Sequence, residues 1–360
     1  MHLTRLAVSR FRALSRVELM PGPAFNLFTG ANAAGKTSLL EAVHCLAQGK
    51  SFLNAPLRSL VQHGASEFVV RATVADGGGG SHTLAVQRGT AGTARRLDGA
   101  PAATQAALAR HLPLLVLAPD SIQLVGGAPA GRRALLDWGL FYAERDFLAT
   151  WRQYRHALRQ RNALLRSGRA DDAALAAWEA PLAAAGERLH HWRAAYAQAL
   201  AAALDERLAA FGLDWALSLR YRAGWARDVP LAEALVAARD TDWQRGFTGP
   251  GPHRADLALR LAGQPASERL SRGQQRVLVV LLKLAQAMLH VEHCGTSPVF
   301  LIDDLAAELD ADNYARLVAT LAGQGVQCLV TGTGVQAEPA LPAGQLRRFH
   351  VKHGAIVEVV

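Results

Sequence analysis

The chain has little of three features that would point to particular classes of protein. Its three cysteines, Cys45, Cys294 and Cys328, lie far apart and form neither a CxxC pair nor a metal-ligand spacing. A disulfide-built secreted fold is therefore disfavoured, and a reducing compartment is the simplest setting. The N-terminus lacks the continuous apolar stretch of a signal peptide, and no uninterrupted run of about twenty apolar residues follows it. These absences predict a soluble, cytoplasmic protein without a membrane partner.

Lysine is also scarce, because arginine supplies most of the 39 basic residues. Together with the many alanines this indicates a GC-rich genome, so arginine richness alone is a weak functional signal. The 30 acidic residues leave a formal net charge of +9 over 360 residues. Such an excess favours a polyanionic partner, nucleic acid first and an anionic membrane surface second. Charge by itself also suits an ordinary soluble protein.

The two ends of the chain share a pattern that the middle lacks. From 132 to 208, glycine and proline are scarce and alanine, leucine and arginine follow helical spacing, which predicts several antiparallel helices. Strand character returns at 215–223. We therefore predict an α/β lobe formed by residues 1–125 and 246–360, and a mainly helical lobe over 126–245. Within the first lobe, short apolar runs predict strands at 24–29, 68–74, 82–88 and 112–117.

The first motif fits G-x-x-x-x-G-K-[ST] between a predicted strand and a predicted helix, the context that a phosphate-binding loop requires. Its glycines let successive N–H groups face phosphate oxygens, and the helix adds its positive end. Lys36 would contact the β- and γ-phosphates of ATP, and the Thr37 hydroxyl would ligate Mg²⁺. The alternative is a chance match in a chain rich in glycine and alanine. The predicted ATP-binding residues are Gly30, Ala31, Asn32, Ala33, Ala34, Gly35, Lys36, Thr37 and Ser38.

The second motif is an apolar run, 299–302, that ends in two carboxylates. A buried strand whose last residue reaches the metal would place Asp303 on Mg²⁺ as the partner of Thr37. Asp304 follows at once and would polarise an attacking water. A central strand with polar residues at its exit is the alternative, and the phosphate-loop motif favours the catalytic interpretation.

The third motif lies at the start of a predicted helix, near residue 272. Ser271 is a good N-cap, and free N–H groups at such a helix start form a second phosphate site. One nucleotide seldom needs two helix N-termini from opposite halves of a chain, so we predict that this motif caps a nucleotide held by a second copy. An ordinary capped helix is the alternative. The signature residues are Ser271, Arg272, Gly273, Gln274 and Gln275.

Arginines in the helical segment are candidates for tracking duplex phosphates. Arg152, Arg155 and Arg159 fall at helical spacing on one face. A solvated helix face is the alternative for any one of them. No interleaved aromatic motif suits the stacking of single-stranded bases, so sequence-independent duplex contact is predicted. Other arginines close in sequence are Arg132, Arg133, Arg161, Arg166 and Arg169.

The three motifs in this order resemble the ATP-binding-cassette (ABC) ATPases. More narrowly, the chain is similar over essentially its full length to the RecF family of bacterial recombinational repair proteins. The resemblance implies an ABC-type ATPase head, like that of SMC proteins, with an inserted helical lobe. Further matching segments are Phe11-Arg12, 118–121, Arg132-Arg133 with Asp137, and 251–256.

The resemblance implies an ATP-dependent homodimer in which the signature of one subunit closes over the loop of the other. It implies that Arg12 contacts ATP, that Asp310 is the D-loop residue, and that Thr331 stands at the γ-phosphate switch, where many cassettes have histidine. It also implies binding to double-stranded and gapped DNA, with weak, DNA-stimulated ATP hydrolysis that dissociates the dimer. With RecO and RecR, such a protein helps to load RecA in gap repair and replication restart, and supports the SOS response.

Several departures from the family pattern bear on these expectations. Ala33 replaces a glycine that is common in the loop, and we expect this to be tolerated if its φ is negative. Asp304 is shorter than the glutamate of transporters and SMC heads, which favours slow turnover. No glutamine is identified for the Q-loop.

The alternative function is the nucleotide-binding subunit of an ABC transporter. That class predicts Ser-Gly-Gly-Gln in the signature, a glutamate after Asp303 and a switch histidine. This chain has none of the three. A structural ATPase of the SMC kind would separate the motif halves by hundreds of coiled-coil residues, which are also absent from this sequence.

Overall fold

The computed structural model describes residues 1–90, 92–167, 172–304, 309–333, 341–342 and 344–359. The chain divides into two compact units. Unit 1 comprises Met1–Ile122 and Arg272–Val360, and unit 2 comprises Gln123–Ser271. Each unit is built around its own sheet and helices.

Unit 1 contains twelve described strands. They are β1 (His2–Phe11), β2 (Leu14–Leu19), β3 (Phe25–Thr29), β4 (Glu67–Ala75), β5 (Ser81–Gly89), β6 (Gly92–Leu97), β7 (Ala100–Pro101), β8 (Leu114–Leu117), β12 (Val299–Asp303), β13 (Cys328–Gly332), β14 (Leu346–Lys352) and β15 (Ala355–Val359). Its helices are α1 (Lys36–Gln48), α2 (Gln105–Ala109), α10 (Arg272–Cys294) and α11 (Ala311–Gly323), with short 3₁₀ turns at Leu57–Leu60 and Pro119–Ile122.

A mostly parallel sheet with the order β15-β14-β3-β13-β12-β8 is the core of unit 1. All pairs from β14 to β8 are parallel, and β15 is the antiparallel edge. Strands covered on both faces read as continuous apolar runs. Strands β12 and β13 are strands of this kind, since all five residues of each are buried.

The second sheet of unit 1 is antiparallel, with the order β2-β1-β4-β5-β6-β7. Strand β1 alternates buried and accessible residues, as expected where only one face packs on a core. The strands predicted at 68–74 and 82–88 are confirmed as β4 and β5, which pair across a Gly-rich turn. The buried side chain of Gln327 joins β1 to the residues before β13, because it accepts from Leu3 N–H at 2.7 Å and donates to Leu3 O at 2.8 Å and to Gly22 O at 2.7 Å.

Unit 2 is mainly helical, as predicted, with a small sheet. Its helices are α3 (Gln123–Gly126), α4 (Pro129–Ala143), α5 (Phe147–Ser167), α6 (Asp172–Ala210), α7 (Leu231–Ala237), α8 (Arg239–Arg245) and α9 (Ala266–Arg269), with a 3₁₀ turn at Pro252–Arg254. Strands β9 (Leu217–Arg222), β10 (Asp256–Leu261) and β11 (Gln264–Pro265) form a sheet with the order β11-β10-β9.

The second boundary between the units differs from the predicted one. It lies after Ser271 rather than after residue 245, and the first lies after Ile122 rather than after residue 125. The reason is the antiparallel pairing of β10 with β9 over six residue pairs, which keeps the segment after the helices in unit 2. The sequence indicated strand character at 215–223, but it did not show which later segment pairs with that strand.

Helix α10 is long and apolar enough by composition to span a membrane, but 67% of its most apolar window is buried inside the protein. Val280, Leu281 and Leu284 are all at most 1% exposed. This burial is typical of a core helix in a folded domain.

A buried ion-pair network lies at the centre of the unit 2 helices. Arg161 on α5 is 0% exposed and donates to Glu179 Oε1 at 3.0 Å and to Asp242 Oδ2 at 2.7 Å. It also donates to Thr248 Oγ1 at 3.0 Å, while Arg239 donates to Glu179 Oε2 at 2.6 Å. Two cations therefore balance two buried carboxylates, so removal of either cation would leave buried charge unpaired.

We expect Arg161→Met to destabilise unit 2 by about 3–5 kcal/mol, because Asp242 loses the guanidinium that pairs with it and Glu179 keeps only Arg239. All seven tryptophans lie between residues 138 and 243, so tryptophan fluorescence in urea reports the unfolding of unit 2. Arg159→Met, on the exposed side of the same helix, is the matched control and should stay within about 0.5 kcal/mol of the wild type. Equal stability of the two variants would contradict the role given to the network.

Candidate functional site

Parallel pairing brings three polar strand ends together in unit 1. Strand β13 pairs with β3 on one side and with β12 on the other, and Asp303 lies opposite Thr331 in the register. The carboxyl ends of parallel strands share one edge of a sheet, where ligands of open α/β folds bind. The segment from Gly30 to helix α1 follows β3 at this same edge.

The loop after β3 has the geometry of a phosphate cradle. Gly30 cannot be replaced without a clash, because an added Cβ would lie 2.2 Å from Val351 O. Gly35, with φ of 113°, is the N-cap of helix α1, whose first N–H groups have no acceptor within the helix. Lys36 Nζ donates to Gly30 O at 2.7 Å and to Ala31 O at 2.9 Å, which folds the ammonium group over the loop. A cation and a helix N-terminus therefore converge on one cavity, as anion binding requires.

Ala33 has φ of +62°, so the condition for its tolerance, a negative φ, is not met. This left-handed conformation costs a residue with a Cβ about 1–2 kcal/mol. The residue is exposed, so no packing requires alanine there. The family's usual glycine would adopt the same conformation without that cost.

Three side chains meet at Asp303. Thr37 Oγ1 donates to Asp303 Oδ1 at 2.9 Å, and Thr331 Oγ1 donates to the same oxygen at 2.7 Å. Burial raises the pKa of the Asp303 carboxyl above its ordinary value, while these two hydrogen bonds act in the opposite direction. A buried carboxylate beside a hydroxyl is the oxygen donor set that Mg²⁺ prefers at nucleotide sites.

Asp304 also has a left-handed backbone, with φ of +51°. Its N–H donates to Thr331 Oγ1 at 3.0 Å and to Thr331 O at 3.2 Å. Aspartate is among the few non-glycine residues that tolerate this region. The choice of aspartate over the longer glutamate therefore agrees with the backbone conformation.

These residues enclose an open cavity of about 250 Å³. Its lining fits a nucleotide with a divalent cation, since it joins Lys36 and the start of α1 to the Thr37 hydroxyl and two carboxylates. The predicted loop and strand-end residues are thus brought together, and Thr331 with them. The lining residues are Asn32, Ala33, Gly35, Lys36, Thr37, Ser38, Asp303, Asp304 and Thr331.

The signature residues are not part of this lining. They stand at the start of α10, where Ser271, Arg272, Gly273 and Gln274 are exposed and Gln275 is half-buried. The cavity of one chain therefore presents the loop and the carboxylates, without the second helix N-terminus that the sequence predicted for the nucleotide.

Arg12 is placed beside the site rather than in it. It follows β1 and forms an ion pair with Glu41 of α1, with Nη2 donating to Oε1 at 2.8 Å. Glu41 is 0% exposed and also accepts from the Ser51 hydroxyl. Arg12 is absent from the cavity lining, so its contact with ATP stays a prediction. Sequence reasoning missed Glu41, although a carboxylate inside an apolar helix segment is a signal for such a partner.

Asp310 is the N-cap of α11, where its carboxylate accepts from Asn313 N at 2.9 Å and from Asn313 Nδ2 at 2.7 Å. The backbone hydrogen bond from Asn313 lowers the pKa of this carboxyl. A role of Asp310 in the D-loop stays a prediction.

The predicted DNA-contacting arginines divide into two groups. Arg152, Arg155 and Arg159 are exposed on α5, with Arg155 lying 5.2 Å from the Trp151 ring centroid. Arg132, by contrast, is 8% exposed and donates to Asp256 Oδ1 at 2.7 Å.

The buried arginines do not fit the predicted contact with phosphates. The guanidinium of Arg132 also donates to Gly127 O at 2.8 Å, so its charge is used inside the fold. Arg133 is half-buried and donates to Ala255 O at 2.8 Å. Arg161 belongs to the network described above, and Arg169 lies outside the described residues. Spacing along the chain could not separate these buried positions from exposed ones.

The fold and the site define an ABC-type ATPase head. The profile of the RecF/RecN/SMC N terminal domain matches residues 2–338. Proteins named DNA replication and repair protein RecF are similar throughout: the one from Chromohalobacter salexigens is 41% identical over 99% of both chains. The one from Xanthomonas axonopodis pv. citri is 40% identical over 99% of this chain and 98% of its own.

Solved structures agree with these relatives. The recombination mediator protein RecF with ATP, in the RecFOR pathway, superposes with a TM-score of 0.89 at 24% identity, covering 100% of this chain and 98% of its own. The SMC head bound to the C-winged helix domain of ScpA superposes with a TM-score of 0.59 at 15% identity, over 100% and 98%. The chain belongs to the RecF family.

We expect Ala33→Gly to raise the free energy of unfolding of unit 1 by about 1 kcal/mol, because glycine removes the left-handed penalty at this exposed position. Ala31→Gly is the matched control: Ala31 is exposed in the same loop without a positive φ, so glycine there should lower stability by about 0.4–1 kcal/mol. Urea unfolding followed by far-UV circular dichroism, with tryptophan fluorescence subtracting the unit 2 transition, measures both. Destabilisation by Ala33→Gly would contradict the assigned backbone conformation.

Proposed function

We propose that this protein is an ATP-dependent DNA-binding protein of recombinational gap repair and replication restart. ATP and Mg²⁺ bind at the cavity between the loop and Asp303, and two copies then close over the bound nucleotides. The dimer binds duplex DNA next to single-strand gaps and, with RecO and RecR, helps to load RecA, which supports the SOS response in the cytoplasm. Slow, DNA-stimulated hydrolysis dissociates the dimer.

The observation that supports this proposal most is the incomplete nucleotide cavity. Among the residues that the structure describes, the loop and the two carboxylates line this cavity, while the exposed start of α10 does not. A γ-phosphate bound by Lys36 would present charge to a second helix N-terminus, which an identical chain supplies from Ser271 and its neighbours. Each subunit would thereby complete the site of the other.

The relatives support the biological role. Proteins about 40% identical over nearly the whole chain are named for DNA replication and repair. A transporter subunit is not favoured, because the signature, the carboxylate at 304 and the threonine at 331 all differ from that class.

The test of the proposal follows oligomeric state and DNA retention together. Light scattering after size exclusion measures the dimer with ATP, ADP or a slowly hydrolysed ATP analogue. Retention of gapped duplex, intact duplex and single strands is measured under the same conditions, and turnover is measured with and without each DNA. The proposal fails if ATP produces no dimer and DNA leaves turnover unchanged; Lys36→Met, which removes the loop cation, is the nucleotide-binding control.

We expect Ser271→Arg to abolish ATP-dependent dimerisation while leaving nucleotide binding by the monomer intact. The bulky cation would stand at the exposed helix start that has to approach the second nucleotide. Ser59→Arg, at an exposed serine of unit 1 that belongs to neither motif, adds the same charge and should dimerise normally. Loss of fluorescent-ATP binding by the Ser271→Arg monomer would contradict closure in trans.

We expect replacement of Arg152, Arg155 and Arg159 by glutamine to weaken duplex binding and to lower the salt dependence of the affinity. The slope of log K against log salt should fall by about 0.9 for each DNA phosphate that is no longer neutralised. The control replaces three exposed arginines of unit 1, Arg58, Arg71 and Arg96, and removes the same charge. A larger effect in the control would indicate that DNA binds to a surface of unit 1 rather than to α5.

A further inference from the structure

The hydroxyl of Thr331 is already used inside the site. Thr331 lies near the end of strand β13, is 1% exposed and lines the cavity. Its hydroxyl donates to Asp303 Oδ1 at 2.7 Å and accepts from Asp304 N–H at 3.0 Å. A hydroxyl has a single hydrogen to donate. Donation to Asp303 therefore leaves no hydrogen for a phosphate oxygen, which a γ-phosphate switch would need.

The first consequence concerns the orientation of the Asp303 carboxylate. Thr37 on α1 and Thr331 on β13 both donate to Oδ1. Two donors on one oxygen fix the rotation of the carboxylate about its Cβ–Cγ bond. Hydrogen bonds to a charged group are worth about 1.5–3 kcal/mol, so removal of one donor would loosen this orientation.

The second consequence concerns the backbone of Asp304. Both the hydroxyl and the carbonyl of Thr331 accept from its N–H, while φ is +51°. Sparsely populated backbone conformations persist where the surroundings determine them, and they cluster at functional sites. Thr331 therefore influences the direction in which the Asp304 carboxylate leaves the strand.

We propose that Thr331 is a positioning residue for ATP hydrolysis rather than a γ-phosphate switch. Its hydroxyl orients the metal-binding carboxylate of Asp303 and holds the left-handed backbone of Asp304. This assignment rests on the proposed ATPase function and replaces the switch role that the resemblance implied.

The test compares Thr331→Val, which keeps the branched shape and removes the hydroxyl, with Thr331→Ser, which keeps the hydroxyl. Three quantities are measured on the full chain: turnover, affinity of the ATP complex for Mn²⁺ by electron paramagnetic resonance, and the ratio of ATP to ADP affinity in EDTA. Thr331→Val should lower turnover and Mn²⁺ affinity, each by about tenfold or more, because one charge-assisted hydrogen bond is removed. Thr331→Ser should stay close to the wild type in both.

The metal-free affinity ratio separates positioning from a phosphate contact. A positioning role leaves the ratio of ATP to ADP affinity in EDTA unchanged in Thr331→Val, whereas a contact with the γ-phosphate lowers it. A lowered ratio overturns the proposal. Wild-type values of turnover and Mn²⁺ affinity in Thr331→Val also overturn it. The same holds if turnover and Mn²⁺ affinity fall as far in Thr331→Ser as in Thr331→Val.

Two controls keep the result interpretable. If Thr331→Val does not fold, Thr331→Ala removes the hydroxyl without adding bulk, and the same outcomes apply to it. A wild type that binds no ATP refutes the proposed function itself. If the wild type binds and hydrolyses ATP, and Thr331→Val has the same turnover and Mn²⁺ affinity as the wild type, only the role of Thr331 is refuted.

Discussion

The shared acceptor at Asp303 Oδ1 is the interaction on which the site depends. It joins the helix after β3, the end of β12 and the end of β13, because hydroxyls from Thr37 and Thr331 both donate to it. The meeting is possible only with β13 between β3 and β12 in parallel register. An antiparallel neighbour would present its amino end at this edge and remove one donor. The sheet order is therefore a chemical requirement of the site as well as a solution to packing.

Two residues at the cavity have backbones that their side chains disfavour. Ala33 and Asp304 both have positive φ, and each such residue costs on the order of 1–3 kcal/mol. At Asp304 the cost is offset locally, since its N–H has two acceptors on Thr331. Ala33 is exposed and has no comparable compensation in its own side chain. The two positions thus differ: hydrogen bonds to Thr331 hold the conformation of Asp304, whereas Ala33 takes its conformation from the loop.

Features with local signals could be predicted from the sequence, and features that depend on distant partners could not. The strand, loop and helix around Lys36 are contiguous, and β12 is recognisable as an apolar run that ends in carboxylates. The pairing of β9 with β10 is not local, which is why the predicted second boundary was misplaced. Arg132 lies in the same alanine- and arginine-rich segment as Arg159, yet it is buried against Asp256, which lies 124 residues away. Charge alone therefore cannot separate structural from binding cations in a chain whose basic residues are nearly all arginine.

The contrast between buried and exposed arginines also bears on how ATP would act. In unit 2, Arg132 and Arg161 are held in ion pairs inside the fold, whereas Arg152, Arg155 and Arg159 on α5 are exposed and would be available to DNA. A few exposed cations give an affinity that is modest and depends on salt. Two copies brought together by nucleotide would present two such sets at once, and linking sites raises the effective concentration for the second contact. ATP would then control DNA binding through the number of α5 arginine sets that contact DNA at once, without any change in the arginines themselves.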